Sequence, residues 1–174
     1  LQFARNDPLE RRPIDLVPIV ATAVELAAPE GGRAGAHLEV DVPESLPLVS
    51  ASAGDIEQVL VNLMLNAIQA EATTVCCRAA THDARVVLLV EDDGHGPTRD
   101  AVEHAFDPFF TTRGNTGRSG MGLSVSHGIV EAHEGSISLE PRSGGGARVI
   151  IELPVVAQPQ PPREAQEPPH APSL

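Results

Sequence analysis

The sequence predicts an α/β fold: a two-layer sandwich in which one mixed, mostly antiparallel sheet carries helices on one face. Three observations lead there. Apolar residues recur at helical spacing across 16–28 and 52–72, the period that buries one side of a helix. Two pairs of short apolar runs, 74–81 with 85–91 and 136–139 with 148–153, are joined by turn residues as hairpins are. The core these elements share must be aliphatic, because the chain has no Trp or Tyr and only 4 Phe.

Each element has a local reason. The first helix is expected to stop before Pro29 and the Gly31-Gly32 pair, since proline cannot donate within a helix and glycine weakens it. HLEVDV at 37–42 alternates like a strand. Ser52, with Asp55 three residues on, resembles a capping box opening the second helix. His82-Asp83-Ala84 is the turn between the first two hairpin strands. A Gly-bearing loop leads to a short helix at 99–104. A Thr/Gly/Ser stretch occupies 111–120, and a helix follows at about 120–133. Ser143-Gly144-Gly145-Gly146 closes the last hairpin. Residues 154–174 hold seven of the 16 prolines and few large apolar groups, so they read as a disordered, Pro-rich tail.

At 174 residues the chain makes one ordinary domain. A formal charge of -12 argues against a nucleic-acid partner, which requires a basic face. No apolar run approaches the roughly 18–20 residues of a spanning helix, so no membrane contact is expected of this domain. No secretory leader is visible, and the opening at Leu1 points to a piece of a longer protein. Cys76 and Cys77 are adjacent, too close for an unstrained disulfide in a strand. They read as reduced packing residues, in keeping with a cytoplasmic location.

The segment VLVNLMLNAIQA poses the chemical question. On a helical wheel Ile56, Val59, Leu60, Leu63, Ala67 and Ala70 form the stripe that packs on the sheet, and Asn62 and Asn66 project together along its edge, one turn apart. A buried carboxamide left unsatisfied costs about 1–3 kcal/mol. Either the two amides cap neighbouring backbone, or they line a polar ligand site in which an amide oxygen serves as a hard ligand for Mg²⁺.

Two glycine-bearing stretches bear on that choice. VEDDGHG places Asp92, Gly94 and Gly96 at the end of an apolar strand, where a carboxylate can accept from an exocyclic amine and glycines admit a planar ring. By itself it is equally an Asp/Gly turn. GNTGRSGMGLSVSHGIVEAH runs small residues into a helix N-terminus, where free N–H groups attract anions. It is not a P-loop. Between the two lies FDPFFTTR, with three of the four phenylalanines within five residues, an anchor from which Thr111, Thr112 and Arg113 can reach phosphate.

Taken in order, NLMLNAIQA, DDGHG, FDPFFTTR and GMGLSVSHGIVEAH closely resemble the ATP-binding catalytic domain of sensor histidine kinases, within the gyrase, Hsp90, histidine kinase and MutL ATPase superfamily. The resemblance covers about 12–153 and implies the Bergerat sandwich. It implies that Asn66 coordinates Mg²⁺ at the phosphates of ATP with Asn62 beside it, and that Asp92 binds the adenine amine between Gly94 and Gly96. It further implies a mobile ATP lid at 106–119, with Thr111, Thr112 and Arg113 in it, and a phosphate cradle of Gly120, Met121, Gly122 and Leu123. Residues 1–11 are similar to the trailing end of a dimerisation helix pair. Pro97 stands where the family has an apolar residue before its proline.

Hydrolysing members carry a Glu at the position of Asn62, and a carboxamide cannot act as a general base at neutral pH. A neutral imidazole needs no deprotonation to attack phosphorus. The resemblance therefore implies a protein-histidine kinase in a two-component system. Its partners are a dimerisation and histidine phosphotransfer domain, outside this chain, and a response regulator. His82-Asp83-Ala84-Arg85 matches an H-[DE]-x-R acceptor box in letters, but a hairpin turn is the wrong context for it. The alternatives of the same superfamily are a non-catalytic nucleotide-dependent interaction module and an anti-sigma-type protein-serine kinase.

Overall fold

In the computed structural model, residues 11–110 and 121–156 are described. In chain order the elements are β1 (Arg12–Ile14), α1 (Leu16–Ala34), β2 (His37–Asp41), β3 (Val49–Ala51), α2 (Ala53–Gln69), β4 (Thr74–His82), β5 (Arg85–Asp92), α3 (Arg99–His104), α4 (Gly122–Ala132), β6 (Ser136–Pro141) and β7 (Ala147–Pro154). The main sheet has five strands in the order β2-β4-β5-β7-β6. Its β2–β4 pair is parallel and the others are antiparallel. The fold is thus the expected α/β sandwich with a mixed, mostly antiparallel sheet.

α2 is the central helix of the second layer. It packs on β4 and β5 and is flanked by α1 and α4. Its Ile56, Val59, Leu60, Leu63, Met64, Ala67 and Ile68 are buried against Val75, Cys77, Val86, Leu88, Val90, Ile151 and Leu153, which alternate along the sheet's inner face. No aromatic side chain enters this core among the described residues. Both cysteines are free and buried. Burial pushes the Cys77 thiol up to about 12, so it behaves as an inert packing group.

Caps fix where the helices begin. Ser52 Oγ accepts from the Asp55 amide, Asp15 accepts from Val17 N at 3.0 Å, and Thr98 Oγ1 accepts from Ala101 N at 3.1 Å.

α1 departs from expectation by running through Pro29 to Ala34. Pro29 and Glu25 lie on the solvent side, where water can satisfy the Glu25 carbonyl left without a donor. Tertiary packing holds the extra turn. A Cβ on buried Gly31 would come within 2.9 Å of Leu38 Cδ1 and 3.1 Å of the Ala36 carbonyl. The helix ends at Gly35, whose φ of 78° is the left-handed cap conformation.

Two short strands escaped the periodicity. β1 and β3 pair antiparallel over three residues each, too few to alternate recognisably. The ordered chain also continues past 153, because β7 reaches Pro154 and Val155 bridges to Val49.

Candidate nucleotide-binding site

α2 sets the two carboxamides at the helical edge nearest α4. Asn62 is half-buried, and its Nδ2 donates to Ser126 Oγ at 2.9 Å. Ser126 is 2% exposed and donates in turn to the Gly122 carbonyl at 3.0 Å. Gly122 is pressed so closely on this amide that a Cβ there would lie 2.6 Å from Asn62 Oδ1. Asn62 therefore meets the first turn of α4, sixty residues away in sequence. Asn66, one turn further along and also half-buried, has no side-chain hydrogen bond among the described residues.

The strand end lies beyond the last turn of α2. The His95 amide donates to the Ala70 carbonyl at 3.1 Å, and Gly94 packs so tightly on Ala70 that any Cβ would clash with that carbonyl. The loop after Asp92 is thus docked one helical turn from Asn66. Asp92 is 5% exposed, and its Oδ1 accepts from Gly94 N at 2.9 Å and Ala147 N at 3.3 Å. Its Oδ2 has no partner among the described residues. Burial raises the carboxyl above its ordinary range, an effect that those two amides oppose. Asp93 points the other way. Hydrogen bonds from Thr73 Oγ1 at 2.6 Å and from the Thr73 and Thr74 amides at 2.8 Å hold its carboxyl below the usual range.

The glycines divide by role. Gly96 has φ +70°, and a Cβ on it would meet the Gly146 carbonyl at 2.8 Å. Gly146, with φ +87°, abuts the Asp92 carbonyl with no space for a side chain. The glycine turn between β6 and β7, expected only as a hairpin closure, thus packs on the Asp92 backbone. Sequence reading also missed Ser126, the partner of Asn62, whose signal is its position one turn after Gly122.

Met121 is the residue before α4, 39% exposed, and its carbonyl accepts from Val125 N at 2.9 Å and Ser124 Oγ at 3.0 Å. The Leu123 side chain packs on the core, so only its backbone faces the helix start. A groove of about 490 Å³ runs past Asn62 and Gly122, bounded by Leu26, Val61, Leu65 and Val125. Phe106 stacks on His127 of α4 with ring centroids 5.3 Å apart, tying the aromatic segment to that helix. Thr111, Thr112, Arg113 and Gly120 lie outside the described residues, as does the rest of 111–120.

Residues 51–157 match the family described as histidine kinase-, DNA gyrase B- and HSP90-like ATPase. The chain belongs to that family. Among curated relatives of this ATPase domain, the sensor histidine kinase ZraS of Escherichia coli O157:H7 is 33% identical over 157 residues, covering 89% of this chain and 34% of that protein. ZraS of Salmonella typhi is 31% identical, covering 92% of this chain and 35% of that protein. The chain spans about a third of the length of these relatives. Among solved structures, full-length ShkA in complex with AMPPNP superimposes with a TM-score of 0.77 at 28% identity, over 90% of this chain and 34% of that one. The catalytic domain of histidine kinase ThkA superimposes with a TM-score of 0.75 at 26% identity, over 84% of this chain and 97% of that domain. The sandwich is therefore the histidine kinase ATPase fold. No helix of the described residues is long and apolar enough to cross a membrane.

Proposed function

We propose that this chain is the ATP-binding catalytic domain of a two-component sensor histidine kinase. It donates the γ-phosphoryl group of Mg-ATP to a histidine on a dimerisation domain outside this chain, and a response regulator then receives it. The observation that carries the reading is Asn62. A carboxamide, held by Ser126 against the start of α4, occupies the position where hydrolysing relatives need a base. A site so arranged favours an acceptor that needs no deprotonation, and a neutral imidazole nitrogen is one.

The other residues fit the nucleotide. The Oδ2 of Asp92, without a partner among the described residues, suits an exocyclic amine, and Gly94, Gly96 and Gly146 let the backbone segments around it pack closer than side chains would allow. The amide of Asn66, without a side-chain hydrogen bond among the described residues, suits Mg²⁺, which binds through one or two protein oxygens plus substrate phosphates. Among the described residues no group of three His, Cys, Asp or Glu makes a metal cage, so the phosphates would complete the shell. When bound, the ion neutralises phosphate charge. The backbone of Met121, Gly122 and Leu123 at the start of α4 suits the phosphates themselves. Thr111, Thr112, Arg113 and Gly120 complete the proposed lid. The relatives are sensor kinases, which accords with a cytoplasmic catalytic domain on a larger protein.

The test mixes this chain with a separately made helical acceptor domain and radiolabelled ATP. Acid-labile phosphohistidine on the acceptor is expected. Acid-stable phosphoserine would reassign the chain as a protein-serine kinase, and bound ATP without any transfer would make it an interaction module.

A further inference from the structure

On the outer face of the sheet, away from the helices, Glu91 is only 2% exposed although it carries a charge. A buried carboxylate persists only when it is paired. Glu91 is paired three ways. Arg78 donates to Oε2, Arg148 Nε donates to Oε1 at 2.6 Å, and Arg142 Nε stands 3.8 Å from Oε1. Arg78 and Arg148 lie on the strands flanking β5, so they serve the sheet. Arg142 does not. It sits in the turn between β6 and β7, and its NH1 donates to the Asp92 carbonyl at 2.7 Å.

That carbonyl lies beyond the end of the β5–β7 ladder, whose last pair is Glu91 with Arg148. Arg142 supplies the donor the ladder no longer provides. The same residue folds the glycine turn. Its amide donates to the Gly146 carbonyl at 3.0 Å, and its carbonyl accepts from Gly145 N at 3.2 Å. This turn carries the Ala147 amide that bonds Asp92 Oδ1, and it sets Gly146 against Gly96. One guanidinium, anchored by Glu91 on one sheet face, therefore fixes the main chain whose carboxylate opens on the other.

We propose that Arg142, braced by Glu91, is a positioning residue that orients the Asp92 carboxylate and so sets the preference of this site for a purine bearing a 6-amino group. The proposal rests on the reading of Asp92 as the base-binding residue. Arg142 touches no nucleotide atom in this scheme and acts through the turn and the Asp92 backbone. A rotation of the carboxylate weakens its bond to the amine while leaving phosphate contacts in place, so the base preference falls more than general affinity.

The experiment compares ATP with ITP, in which a carbonyl replaces the amine, by titration calorimetry on the wild-type chain, Arg142→Met and Arg142→Lys. Thermal melts of each variant accompany the titrations. Wild type is expected to prefer ATP. Arg142→Met is expected to weaken ATP roughly tenfold and ITP no more than about twofold, collapsing the ratio. Arg142→Lys, which keeps a donor for the carbonyl, is expected to restore much of it. An unchanged ATP:ITP ratio in folded Arg142→Met, or equal loss for both nucleotides, overturns the proposal. Should Arg142→Met fail to fold, Arg142→Gln takes its place, a collapsed ATP:ITP ratio supporting the brace and the wild-type ratio overturning it. A wild-type chain that binds ATP and ITP equally would instead sink the reading of Asp92 itself.

Discussion

Asn62 and Ser126 form a hydrogen bond of 2.9 Å that joins the middle of α2 to the first turn of α4. Gly122 fits against the same amide, and a methyl group there would stand 2.6 Å from Asn62 Oδ1. The contact is with a side-chain end, so the carboxamide would yield before the backbone. Gly122→Ala is expected to lower ATP affinity about tenfold or more by displacing Asn62, with the melting temperature held within a few degrees. Calorimetric titration together with a thermal melt checks both halves. Unaltered affinity would show that Asn62 does not face the nucleotide.

The two asparagines should behave differently. Asn66 has no side-chain partner among the described residues, so Asn66→Ala is expected to change stability by no more than about 0.5 kcal/mol while removing Mg-dependent ATP binding. Asn62→Ala leaves the buried Ser126 hydroxyl without its donor and is expected to lose about 1 kcal/mol. Urea unfolding of the two variants side by side measures the contrast. Equal losses would mean that Asn66 has a structural partner after all.

Asp92 is a stability liability. Burial raises its carboxyl, so at pH values between the ordinary carboxylate range and the raised native value the folded chain holds more protons than the unfolded one. Its contribution is then most favourable at low pH and is lost as pH rises through the native value. Asp92→Asn keeps an acceptor for the Gly94 and Ala147 amides and removes the buried charge. At pH 7 the variant is expected to melt no lower than wild type yet to bind ATP far more weakly. Its advantage should shrink as pH falls toward 4. A variant markedly less stable at pH 7 would contradict this.

His133 ties the far ends of the same two helices together. It is 1% exposed, with Nδ1 donating to the Ile129 carbonyl at 2.7 Å and Nε2 accepting from Ser52 N at 3.0 Å. His133→Ala removes both bonds and leaves a cavity, an expected loss of about 2–4 kcal/mol in chemical denaturation. A loss below about 1 kcal/mol would show that water replaces the ring at both sites.

Much of this arrangement was legible locally. The helical stripe from Ile56 to Ala67, the Ser52 cap, the His82-Asp83-Ala84 turn and the α3 bounds each depend on neighbours within a few residues, where period and turn chemistry speak directly. His82 is the last residue of β4, paired with Arg85 across the Asp83-Ala84 turn, its side chain 81% exposed. Pro29 misled for the same reason. A local rule ended the helix there, but packing of Gly31 on Leu38 carried it on.

From the residues alone came the aliphatic core, the strand and helix periods, the two amides on one helical edge, and four motifs whose order marked the family. Only the folded chain decided that Asn62 meets Ser126, that Gly146 abuts the Asp92 carbonyl, and that Arg142 reaches back fifty residues to a strand end. Those are contacts between segments remote in sequence, and their geometry is set by how the sheet and helices pack. No local periodicity encodes that.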